Sequence, residues 1–369
     1  MNFVLSLEHI ALVKVAVTIY NHPDFRDILR NCNRHLCEGL CCLDKREQFI
    51  KKKMPYYTLP VVLLPNLLSV IQSLHCEFQV WEDFHSSNFG YDFSQLNNIC
   101  WNFLGAIDYE ETAKRLVHSE DFILSQRFSV ACCYWLTNDV LRLWNGASTS
   151  QKESVIEIIQ FRHHRRYSSS PLFVSQAEKQ WIKWLEDGAA REKHFSYVGL
   201  LTYLPDVTPP SIEIWQQLTP IAVKRLQRRL LRNHWNTSIG RDYFSRMDAN
   251  LRMEVFKDEP TCALALFLYW PLQTKFLEMF SQLHSFINAD NFLRLLRLID
   301  SGKYVQSQSY FDYTNLRRKF WLQSPDHLKK DVEMYLRNNT LTKSSENLNQ
   351  VIQNEKEKFN SKCVSSKML

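Results

Sequence analysis

The 369-residue chain carries 45 basic and 39 acidic side chains, a formal charge of +6, and 45% hydrophobic residues, which excludes global disorder and supplies material for a buried core. Its eight glycines amount to about 2% against a usual ~7%. Folds built on phosphate loops, which need glycine for positive φ and close backbone approach, are therefore disfavoured, and the balance tips to helix.

The opening stretch, MNFVLSLEHIALVKVAVTIY, has no basic leader and is interrupted by Glu8, His9 and Lys14, so it reads as a first helix and not a secretory signal. Pro23 then stands where an N1 proline belongs, with Asp24 in the first turn, and Phe25, Ile28, Leu29, Cys32 and Leu36 form one apolar stripe. The group Cys32, His35, Cys37, Cys41 and Cys42 has one pair a helical turn apart but no second close pair, so no tetrahedral metal set is expected. LPVVLLPNLLSVI (59–71), broken by Pro60 and Pro65, and CALALFLYWPL (262–272) are both short of the roughly 20 residues that span a bilayer. They read as buried core helices.

Asp108-x-x-Glu111, Ser150-x-x-Glu153 and Ser175-x-x-Glu178 have capping-box spacing, in which a short polar side chain and an acid satisfy orphan N–H groups. Gly146, Gly188 and Gly302 sit where helices should stop. Ser324-Pro325-Asp326 starts another helix, with Leu328, Val332, Tyr335 and Leu336 as its buried stripe. No Asn-Gly or Asp-Gly turn joins alternating segments. The prediction is an all-α fold, an irregular, α-solenoid-like array of helical hairpins. It divides into an N-terminal block (1–105), a central block (106–204), a C-terminal block (205–340) entered through a proline-rich hinge at 205–220, and a mobile polar tail (341–369). An internal echo pairs Tyr134-Trp135 and Leu141 with Tyr269-Trp270 and Phe276, 135 residues on.

No HExxH, Walker loop, GxGxxG or GxSxG occurs, and no cofactor, metal or enzymatic activity is expected. His118-Ser-Glu120 matches half of a zinc-deaminase signature, without its P-C-x-x-C half. Ten cysteines in mostly apolar surroundings read as reduced thiols of a cytoplasmic, or nuclear, protein. The stretch TPIAVKRLQRRLLRNHW, with a basic helix over 221–235, gathers Lys224, Arg225, Arg228, Arg229 and Arg232 on one arc. Ala222, Val223, Leu226, Leu230 and Leu231 take the other. Such a face suits phosphates, an anionic membrane surface or an acidic groove. A second basic run covers Arg162–Arg166, and abundant aromatics supply core and partner anchors.

Ser6-Leu7-x₃-Ala11-x₃-Val15 resembles the elongin-binding box of SOCS-box adaptors, with Ala11 where that motif usually has Cys. In that family a Leu-Pro-rich segment follows and recruits a cullin. Leu59-Pro60 and Leu64-Pro65 echo it after a longer gap. The resemblance implies that Leu7, Ala11 and Val15 meet an elongin and that the other helices bind a ubiquitin-ligase substrate. The block 113–146 resembles the degenerate ankyrin-like helical repeats of large arthropod protein families, which implies a fold but no activity. The leading expectation is a non-enzymatic scaffold or adaptor for another protein. The alternatives are nucleic-acid binding through 221–235 and a ubiquitin-ligase substrate adaptor.

Overall fold

The computed structural model describes residues 6–31, 48–50, 60–89, 99–165, 173–188, 247–300 and 311–338, with single residues between them. Among these the fold is all-α. The only extended pairing among the described residues is an isolated antiparallel bridge between Trp101 and Ile107. No helix among them is long and apolar enough to cross a membrane. The chain divides into two units, Met1–Met247 and Asp248–Leu369. The hinge at 205–220, Pro220 apart, and the tail at 341–369 lie outside the described residues.

In the first unit, α1 (Leu7–Tyr20) starts where the Ser6 hydroxyl oxygen accepts from the His9 N–H at 3.1 Å, satisfying one of the orphan donors of a helix start. Its buried face, Leu12, Val13, Ala16, Ile19 and Tyr20, packs on α3 (Leu64–Phe89). Each large apolar side chain so enclosed contributes about 1.5–3 kcal/mol. Between them α2 (Pro23–Asn31) has its proline at the first position and buries Phe25 and Leu29. Ile28 is half-buried, and Cys32 and Leu36 of the expected stripe lie outside the described residues. The 59–71 run becomes a 3₁₀ turn, Val61–Leu63, leading into α3.

A turn at 101–107 follows, in which the Asn102 side-chain oxygen accepts from the N–H groups of Leu104 and Ala106, and Gly105 takes φ +87°. Helix α4 (Tyr109–His118) is capped as expected, the Asp108 carboxylate accepting from Glu111 N–H at 3.0 Å. Helix α5 (Leu124–Cys133) is the hub of this unit. It packs on α3, α4, α6 (Thr137–Gly146), α7 (Thr149–Arg165) and α8 (Phe173–Glu186). With so many neighbours around one helix, it cannot be apolar on one stripe alone. Accordingly Phe128, Val130, Ala131, Cys132 and Cys133 are all buried.

Several helix ends differ from the sequence reading. The box that opens α7 is Ser148 with Gln151, whose backbone and side-chain groups exchange bonds of 3.3 and 2.9 Å. Ser150 and Glu153 lie inside the helix, and Ser175 lies inside α8. A Ser-x-x-Glu spacing recurs within helices by chance, and only the residue whose backbone is still extended can cap. Gly146 is the last residue of α6, followed by extended Ala147, whereas Gly188 ends α8 at φ +83°, and Gly302 lies outside the described residues. The stop of α5 is unusual: Trp135, at φ +58°, takes the left-handed position. Its N–H donates to Cys132 O, and the Leu136 N–H donates to Ala131 O. This is the double bond pattern of a glycine-type helix stop, written with a buried tryptophan. Tyr269-Trp270 has a different backbone, with Tyr269 extended, so the 135-residue echo has no structural counterpart.

In the second unit α9 (Ala249–Asp258) is capped by Asp248. Helix α10 (Pro260–Ala265) and a 3₁₀ turn, Leu266–Leu268, bury the second apolar run almost completely. Helix α11 (Phe276–Leu283) and α12 (Ala289–Asp300) follow. Then α12 packs on α10, α13 (Tyr313–Gln323) and α14 (Asp326–Asn338). Phe280, Phe292 and Phe320 form the aromatic centre, with Phe280 and Phe320 rings 4.6 Å apart edge-on. In α14, Leu328 and Val332 are buried as expected. Tyr335 is instead exposed, although it lies only about 20° round the helix from Leu328.

Candidate functional site

Leu7, Ala11 and Val15 of the elongin-box resemblance span one arc of α1. At about 100° per residue, Leu7 lies opposite the buried Ala16, while Val15 borders the buried Ile19. Leu7 is 85% exposed, Ala11 is exposed and Val15 half-buried. Lys14 and Thr18 share this arc and are exposed too. Ser6, the first residue of the motif, is the helix cap, which is a sufficient structural reason for serine there. The 101–107 turn lies beside the first turn of α1, where the His9 ring nitrogen Nε2 meets Leu104 O at 3.4 Å. Burial lowers the His9 pKa, and the Leu104 carbonyl partly opposes the shift. A neutral imidazole donating to that carbonyl fits both observations. Phe103, the neighbouring residue, is 65% exposed. Of the Leu-Pro echo, Leu64 is buried in the core at the start of α3 and Pro65 is exposed, while Leu59 lies outside the described residues.

The basic candidates Lys224, Arg225, Arg228, Arg229 and Arg232 lie outside the described residues. Of that helix only exposed Ile221 and half-buried Val223 carry a described side chain beyond Pro220. The cysteine-histidine group at 32–42 and the side chains of Arg162–Arg166 also lie outside them.

His118, of the half-signature His118-Ser-Glu120, closes α4 and turns to Asp139 of α6, Nε2 to Oδ1 2.7 Å. Arg142 donates to the same oxygen at 2.8 Å. Asp139 thus already accepts from two side chains, and His118 is more than half exposed. Such a surface cluster contributes at most about 1 kcal/mol. Among the described residues no group of three or more His, Cys, Asp or Glu side chains is placed to hold a metal ion. No family model, curated protein or solved structure matches this chain. The reading of its surface therefore rests on its own residues.

Three buried polar contacts were not legible in the sequence. Arg241 Nη2 donates to Glu77 Oε2 at 2.8 Å, with both side chains under 10% exposed. Burial pushes the Glu77 carboxyl up, against the opposing pull of Arg241 and a hydrogen bond from the Ile107 backbone. Two turns further along α3, His85 is enclosed by Trp81, Phe89, Phe93, Tyr109 and Tyr134. Its Nδ1 donates to Trp81 O at 2.6 Å and its Nε2 accepts from the Tyr134 hydroxyl. Burial pulls its pKa down to about 3, so the ring stays neutral. The third contact runs from Trp181 Nε1 to Cys132 O at 3.0 Å. All three contacts are enclosed and tie together segments far apart in the chain. Residues separated by 164, 49 and 49 positions make these contacts, and no local pattern announces such pairs.

Proposed function

We propose that this chain is a non-enzymatic interaction scaffold that docks another protein on the outward face of α1. The observation that carries the reading is the stripe Leu7–Ala11–Val15, with Leu7 85% exposed. A leucine left in water on a helix whose opposite face is fully packed is a ready anchor for a partner's apolar pocket.

The resemblance to the elongin-binding box gives this reading a sharper form, a ubiquitin-ligase substrate adaptor. What supports it is that Leu7 and Ala11 of the motif are exposed, with Val15 half-buried next to them on the same arc. The test is direct binding of the tagged full-length chain to purified elongin B–C heterodimer, alongside capture from cells with and without nuclease. Binding of the heterodimer that is lost in Leu7→Asp/Ala11→Glu establishes the adaptor reading. Nuclease-resistant protein partners lost in the same variant, without elongin binding, establish only the scaffold. Capture unchanged by the variant overturns the assignment to α1. Capture that disappears with nuclease replaces it with nucleic-acid binding through 221–235.

A further inference from the structure

We draw no further inference here: the strongest candidate, the exposed apolar stripe that opens with Leu7 on α1, belongs to the surface already described, and nothing in the structure shows what covers it.

Discussion

Removing the Glu77 carboxylate is the most informative perturbation of the fold. Its Oε2 lies 2.8 Å from Arg241 Nη2, and the two side chains are 6% and 8% exposed. In Glu77→Leu the guanidinium stays in its enclosed position without a counter-charge, at a cost of about 3–5 kcal/mol. With a denaturant slope of roughly 2–3 kcal/mol/M in urea, the midpoint should fall by about 1–2 M. Arg241→Met should cost a similar amount, because it strands the carboxylate. The double variant Glu77→Leu/Arg241→Met removes both charges and replaces them with apolar groups, so it should be more stable than either single variant. Urea titration of the four proteins, followed by tryptophan fluorescence, measures the coupling. Losses that simply add in the double variant, or single losses below about 1 kcal/mol, would refute the argument that these charges are buried and interdependent. The same pair has a pH signature. Burial raises the Glu77 pKa, so the folded chain holds this proton more tightly than the unfolded one. That contribution is complete below the ordinary carboxyl pKa and is lost as pH rises through the raised value. Glu77→Gln should flatten that part of the stability profile.

His85 has the opposite slope. With its pKa lowered to about 3 in the folded chain and ~6.5 when unfolded, its contribution is complete above the unfolded value and fades as pH falls toward 3, by up to about 5 kcal/mol. Stability measured from pH 7 to 4 should fall less steeply in His85→Phe than in the parent. Tyr134→Phe removes the hydroxyl that His85 Nε2 accepts from, and should cost about 1–3 kcal/mol in thermal or urea unfolding. At Trp135, both Trp135→Ala and Trp135→Gly empty the same volume. Glycine fits the left-handed backbone better, so the glycine variant should be the more stable by about 1 kcal/mol, and equal stabilities would contradict the strained assignment. Leu7→Asp/Ala11→Glu should leave the unfolding midpoint within about 0.5 kcal/mol of the parent, and a larger loss would mean that this face is packed.

The sequence revealed the helices but not their environment. Apolar spacing located α2 and α14, and Asp108 and Gly188 marked true helix ends, because caps are written within a few residues. Ser150 and Ser175 misled for the same reason: a four-residue spacing cannot tell a helix start from its interior. Tyr335 failed because a helical stripe is buried only as far along the helix as the surface facing it reaches, which depends on distant residues. Trp135 could not have been read as a helix stop, since the usual signal there is glycine. The hub role of α5 was equally hidden, because its all-round burial reflects the helices packed about it. For the candidate site, spacing put Leu7, Ala11 and Val15 on one arc, but which arc faces water depends on α3, whose Leu64 begins 57 residues after Leu7.

The Glu77–Arg241 pair has a consequence for the order in which the chain is made. Arg241 follows Glu77 by 164 residues, which at about 5–20 residues per second of synthesis is a delay of roughly 8–33 s. During that interval the first part of the unit emerges without the cation that Glu77 meets in the finished fold. A carboxyl whose burial favours its protonated form can enter the core at lower cost as a neutral acid. The N-terminal helices can therefore collapse first, with the charge pair completed when Arg241 arrives.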